Sequence, residues 1–351
     1  MPGLPVSERR LVQWLIMLAA SVAVSFLLEA VHVPAAALVG PLLVGASMSL
    51  WGAKIRYPRW TRSSAQAVTA TLVATSLRPD TFDTLLRIWP VALVLLTAVM
   101  VCAVLAGVLT GYLARIDREA AIWGFLPGMA SAVIAMSADR GLPAGIVAVI
   151  QVIRLVTVIL MTALLVAVIG AGGAGPGGSP TEGGYLWLLP LVILVGPLAD
   201  RFLKVIPAGA LLVPLVLASA MELYGITVAL PHIVIVLAYL VIGGNVGLGF
   251  DRDLLLQARR AVPVVIVVAI GLYCVGAALG MFMALVTGID MLTALLSTVP
   301  GSIDAVAAIA YSEGADVSVV MSLQIMRLFV VVLVGPPVAR AAARWVLRER
   351  G

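Results

Sequence analysis

Apolar residues run along this chain in long uninterrupted blocks, parted by short polar or Pro/Gly-rich stretches, with no apolar–polar alternation. Blocks of about 20 residues suit membrane-spanning helices, whereas an outer-membrane barrel would alternate over short segments. Twelve blocks can be read. In the first half they are 11–30, 34–52, 63–77, 88–114, 121–138 and 142–169; in the second, 184–203, 207–225, 231–249, 261–287, 293–311 and 317–339. Between the halves lies GAGGAGPGGSPTEGG, residues 170–184, in which eight of fifteen residues are glycine, a flexible linker. The first block, with Arg9 and Arg10 ahead of it, has the outline of a signal peptide. A retained helix is the better reading, because the block has a counterpart in the second half.

The two halves repeat. A shift of 173 residues places VPAAALVGPLLVGASMSLWG (33–52) on IPAGALLVPLVLASAMELYG (206–225) without a gap. It also aligns Pro90 with Pro263, Gly107 with Gly280 and Asp117 with Asp290. Residues 127–160 then fall on 300–333 with 12 of 34 identical, including Pro127/Pro300, Gly128/Gly301, Gln151/Gln324 and Arg154/Arg327. Greasy sequence matches Ala, Val and Leu by chance; it does not readily match Pro, Gly, Gln, Arg and Asp in one register.

Composition sharpens this picture. The 351 residues are 62% hydrophobic and 11% charged, with a mean hydropathy of +1.16. A soluble domain is roughly half apolar and about 25% charged, so this chain cannot clothe itself for water. The formal charge of +5 reflects Lys and Arg in cytoplasmic loops and carries no implication of nucleic acid. Cys102 and Cys274 lie apart inside apolar runs, and His32 and His232 stand alone at segment ends, so neither a disulfide framework nor a metal cofactor is expected.

Charge placement also bears on topology. With all twelve blocks spanning, 12 Lys/Arg fall inside and 8 outside. If 63–77 and 231–249 are the re-entrant pair, the count is 15 to 5. If 121–138 and 293–311 enter and leave on one side, it is 18 inside against Arg78 and Arg87 outside, with Arg154 and Arg327 mid-helix. This last arrangement obeys the positive-inside rule best. Each half then has an odd number of spans, so the second is inverted. The expected fold is an all-α polytopic integral membrane protein. It has two inverted repeats, each of about five spanning helices plus a re-entrant or broken helix. Residues 1–170 and 184–351 form the repeats, 171–183 the linker, and both termini lie in the cytoplasm of a bacterial-type inner membrane.

Three features carry candidate chemistry. At Pro127-Gly128 and Pro300-Gly301, Pro removes a donor and Gly permits close approach. A short helix starting there would aim its N–H groups toward the bilayer middle, with Ser131, Ser302 and Asp304 in its first turn. The alternative is an ordinary kink. The second feature is Gln151/Arg154 and Gln324/Arg327, each pair on one helix face. An arginine at mid-bilayer costs at least about 2.5 kcal/mol, so it needs a carboxylate, helix-end carbonyls or an anionic substrate. The third is GGNVGLGF (243–250), an unwound stretch or close helix crossing, set against the unusually polar block 63–77. Asp304 is a candidate proton- or sodium-coupling group or a helix cap.

The paired PG-x(22)-Q-x-x-R blocks, each preceded by an Asp (Asp117, Asp290), resemble the AbrB-type membrane duplication family over about residues 12–345. The first copy reads PGM where the family often has PGG, so it departs at Met129. Two labels are attached to that family: regulator of gene expression and ammonia monooxygenase. Neither follows from these residues, which offer no soluble DNA-binding domain and no histidine cluster for copper. Inverted repeats with interrupted helices are the architecture of many secondary transporters. The reading is a carrier of a small anionic or zwitterionic solute, proton- or sodium-coupled, in contact with lipid and open to homo-oligomer formation. A membrane regulator acting through a partner is the runner-up, and a membrane enzyme ranks last.

Overall fold

The computed structural model describes residues 6–76, 79–126, 130–139, 141–169, 184–203 and 208–348. Among them every regular element is a helix. The first half holds α1 (Val6–Ala30), α2 (Ala36–Leu50), α3 (Arg59–Ala74), α4 (Pro79–Ala114), α5 (Arg118–Phe125), α6 (Ala130–Asp139) and α7 (Ala144–Ile169). A 3₁₀ turn, Leu186–Leu188, leads into α8 (Leu189–Phe202). There follow α9 (Gly209–Leu223), α10 (His232–Gly247), α11 (Arg252–Gln257), α12 (Val262–Thr287), α13 (Met291–Thr298), α14 (Ile303–Ser312) and α15 (Val317–Arg348). The linker expected at 171–183 lies outside the described residues.

Among the described residues four helices are long and apolar enough to cross a membrane: Arg10–Ala30, Asp83–Ala114, Ala144–Ile169 and Val262–Thr287. The apolar helices α2, α9 and α10 have 15 or 16 residues. At 1.5 Å per residue they reach only ~24 Å, short of the ~30 Å hydrocarbon layer. The two blocks expected to be interrupted are interrupted: 121–138 is divided between α5 and α6, and 293–311 between α13 and α14. Aromatic side chains are bare at helix ends, Trp51 after α2, Trp60 at the start of α3 and Tyr224 after α9, where the interface of a bilayer receives such rings.

The helices gather into two compact units, and each unit draws on both halves of the chain. Unit 1 comprises 1–78, 163–252 and 304–318, and so holds α1–α3, α8–α10 and α14. In it α2 packs against α1 and α10, and α3 against α8, α9 and α10. The glycines at 243–247 belong to the unbroken helix α10. Gly243 lies on the Leu38 carbonyl and Gly247 on the Leu42 carbonyl, so close that a Cβ would collide with the α2 backbone. The GGNVG stretch is therefore a helix crossing, and no unwound segment. Met17, Val44, Met48, Ile55 and Leu248 close this core. The polar face of α3 turns inward. Ser64 Oγ donates to the Ile193 carbonyl (2.8 Å) and Ser63 Oγ to Asp200 Oδ2 (3.2 Å), both in α8. Buried Thr69 and Thr71 donate to carbonyls one turn back, which satisfies a hydroxyl without a partner helix.

Unit 2 comprises 79–162, 253–303 and 319–351, with α4–α6, most of α7, α11–α13 and most of α15. Here α4 packs on α12, α5 on α4 and α13 on α12. Gly107 of α4 faces the Ile122 backbone, and Gly280 of α12 faces the Leu295 backbone. Absence of a Cβ at these two positions is what lets each eight-residue helix lie directly on its long neighbour. Ile88, Ala92, Leu95, Met283, Ala294 and Leu323 fill one core of this unit, and Val104, Ile122, Trp123 and Val147 another.

Local conformation recurs at the same spacing as the sequence. Ala35 (φ 50°) and Ala208 (φ 54°) both adopt the left-handed region ahead of α2 and α9. Asp117 Oδ1 accepts from Ala120 N (2.7 Å) and Asp290 Oδ2 from Thr293 N (3.0 Å), each satisfying a free N–H at the start of α5 or α13.

Candidate functional site

The chemistry begins where the two short helices stop. Leu126 (φ −57°, ψ 121°) ends α5 and Val299 (φ −61°, ψ 132°) ends α13. Both precede proline in sequence, and a residue before proline is driven out of the helical region into extended backbone. The last carbonyls of each helix are thereby left without helical donors, in an apolar setting where that is expensive.

In unit 2 those carbonyls are met by the Gln/Arg pairs. Arg154 Nη1, from α7, donates to the Phe125 carbonyl at 2.7 Å, and Gln151 Nε2 to the Trp123 carbonyl at 3.5 Å. From α15, Arg327 donates through Nη1 to Val299 O and through Nη2 to Gly301 O, each at 2.8 Å. Gln324 Nε2 donates to Leu296 O at 2.8 Å. The i, i+3 spacing explains the pattern: glutamine reaches the last helical turn, while Arg154 takes the final carbonyl of α5 and Arg327 the break beyond α13. The partner that a buried arginine requires is thus the negative end of a short helix. Among the described residues neither guanidinium has a carboxylate partner. Both are 5% exposed. The Nε of each arginine and the Oε1 of each glutamine find no hydrogen-bond partner among the described residues.

Asp304 lies in unit 1, in the first turn of α14. Its Oδ2 accepts from Gln66 Nε2 of α3 at 2.8 Å, and Arg62 stands one turn earlier on α3. Gly301 and Ser302 precede α14, and Ser302 is bonded. Pro300 follows Val299, the residue at which α13 ends. Pro127 and Gly128 lie outside the described residues. Ser131 is the second residue of α6, and its side chain is likewise outside them. Arg62 and Gln66 are the residues that sequence reasoning missed. Arg62 was spent on the loop-charge count, and Gln66 was one of many polar residues in 63–77. Their i, i+4 spacing on an otherwise small-residue helix was the available signal. Among the described residues no three His, Cys, Asp or Glu side chains come together.

The helical organisation, the long apolar helices and the bare interfacial aromatics fit a membrane protein. The family model described as "Transition state regulatory protein AbrB" matches residues 47–343. A protein of Escherichia coli (strain K12) named "Putative regulator AbrB" is 32% identical over 338 residues, which covers 93% of this chain and 96% of that protein. The chain belongs to the AbrB family.

Proposed function

We propose that this chain is a secondary transporter that moves a small anionic or zwitterionic solute across the cell membrane by alternating access, with both termini cytoplasmic. The observation that carries this reading is the arginine pair. Two buried guanidiniums are retained in the same unit, each fixed at a helix break and each with an Nε–H that has no partner among the described residues. Buried like charges are costly, and within membrane helices such residues mark solute or ion pathways. The breaks support it, because many secondary transporters build their solute sites at interrupted helices. So does the recurrence of caps, breaks and Gln/Arg pairs at 173 residues, as a duplication requires. In unit 2 this reading takes Gln151, Arg154, Pro300, Gly301, Ser302, Gln324 and Arg327 as solute contacts, with Pro127, Gly128 and Ser131 as their sequence counterparts, and in unit 1 it takes Asp304.

Uptake of labelled organic acids and amino acids into proteoliposomes tests the reading. Saturable uptake with counterflow is expected, lost in Arg154→Ala and Arg327→Ala. Unchanged uptake in both variants would remove the arginines from solute binding. The second reading, a membrane regulator working through a partner, is favoured by the printed name of the Escherichia coli relative. Co-purification of a regulatory protein, together with no flux of any solute, would select it.

A further inference from the structure

Two loops of unit 1 share a backbone turn and differ in charge. After α2, Gly52 (φ 89°) turns the chain and Ala53 N donates to Met48 O; after α9, Gly225 (φ 73°) turns it and Ile226 N donates to Met221 O. Each loop opens on a bare aromatic ring, Trp51 and Tyr224, both 85% exposed. The first loop then carries Lys54, Arg56 and Arg59, all exposed, with no acid between residues 51 and 62. Residues 226–235 carry no Lys or Arg. The same turn forms without cations, so the fold of the loop does not account for them.

The tertiary structure brings further charge to this loop from two remote segments. Ser49 Oγ donates to the Phe250 carbonyl just beyond α10, and the place a Cβ would take at Gly52 lies 3.8 Å from Nη1 of the exposed Arg252. Trp14 of α1 packs edge-on against Tyr57 of the loop, with ring centroids 4.8 Å apart, and Arg10, one turn earlier on α1, is exposed. Glu8 precedes Arg10, and Asp251 and Asp253 flank Arg252, so the excess of positive charge comes from the loop itself. Trp51 and Trp60, the latter 63% exposed, bracket Lys54, Arg56 and Arg59 along the chain. Bare tryptophans at the ends of apolar helices sit at the headgroup level of a bilayer. Cations held between them then stand at the depth of the lipid phosphates, where an anionic leaflet attracts each of them.

We propose that the α2–α3 loop, with Arg252 beside it, is a docking surface for anionic phospholipid. Lys54, Arg56, Arg59 and Arg252 receive the headgroup phosphates, and Trp51 and Trp60 rest on the glycerol and upper acyl chains. A zwitterionic phospholipid brings its own ammonium to the same cations and is held less tightly. The inference concerns a surface remote from the Gln/Arg pairs of unit 2 and stands whether or not the chain carries a solute.

The test is native mass spectrometry of the full chain in neutral detergent, titrated with phosphatidylglycerol or phosphatidylcholine of identical acyl chains. Retention of phosphatidylglycerol in preference to phosphatidylcholine is expected, and added salt should erode it. At about fivefold per cation, the triple variant Lys54→Gln/Arg56→Gln/Arg59→Gln should weaken phosphatidylglycerol binding by about 100-fold. Arg259→Gln/Arg260→Gln removes two exposed cations from unit 2 and should leave it unchanged. Glycerol phosphate at equal concentration should not displace the lipid, because it has no acyl chains to meet the tryptophans. Equal retention of the two lipids overturns the proposal and leaves these cations as determinants of topology alone. An undiminished triple variant, an equal loss in the Arg259/Arg260 variant, or displacement by glycerol phosphate overturns it as well. The comparison of the two lipids needs only the unsubstituted chain, so a triple variant that fails to insert does not blunt it.

Discussion

Arg327 holds two carbonyls and Arg154 one, and this difference sets what truncation should cost. Arg327→Ala leaves Val299 O and Gly301 O without their donor, at about 1–3 kcal/mol for each unsatisfied buried group. Thermal unfolding of the protein in detergent should therefore show Arg327→Ala destabilised more than Arg154→Ala. Arg327→Lys is expected to fall between Arg327→Ala and the parent, because a lysine supplies the charge but not the planar fork that spans two carbonyls. Equal midpoints for all three variants would mean that the carbonyl contacts contribute nothing. The depth of both arginines and their need for partners were legible in the sequence. Which of three possible partners they take was not, because the carbonyls lie 25 or more residues away and become available only once the proline has ended the helix.

Helices α5 and α13 show how an element of eight residues survives. Each has an aspartate at its start, arginine at its end and a long helix along its side. Asp290→Ala removes the acceptor for Thr293 N and should cost about 1 kcal/mol, the usual value for an N-cap. The glycine in the neighbouring helix matters more. Gly280→Leu drives a side chain into the Leu295 backbone and should lower the melting temperature severely or abolish folding. Gly271→Ala on the same helix α12 meets open space and should be neutral or stabilising by up to about 1 kcal/mol. Thermal unfolding of the two variants side by side checks this, and a severe loss in Gly271→Ala would contradict it. Prolines, the aspartates and the register of Gly107 with Gly280 were all readable from sequence. The role of GGNVG was not: the same residues suit a crossing or an unwound loop, and only the nearness of the α2 backbone decides between them.

For the whole molecule, the inverted-duplication reading makes a prediction about sidedness. Arg56 and Ile226 are both exposed in loops at corresponding ends of the two halves. In a background with Cys102 and Cys274 replaced by serine, Arg56→Cys should react with an impermeant thiol reagent from the cytoplasmic side, and Ile226→Cys from the opposite side. Labelling of both from one side would remove the inversion and leave a parallel duplication. The charges that motivate the prediction are visible in the chain, since 53–62 carries four basic residues and 226–235 none.

The sequence by itself determined where the two short helices α5 and α13 stop, because a proline drives the residue before it out of the helical conformation. It also determined that the second half echoes the first. The tertiary structure alone decided that compact units would be assembled from parts of both halves, and that Arg154 and Arg327 would serve helix ends. It also decided that Gln66 would meet Asp304, 238 residues further along the chain. The reason is that a side chain in an apolar core takes whichever polar group packing brings within hydrogen-bond reach. Nothing in the spacing along one helix specifies which other helix that will be.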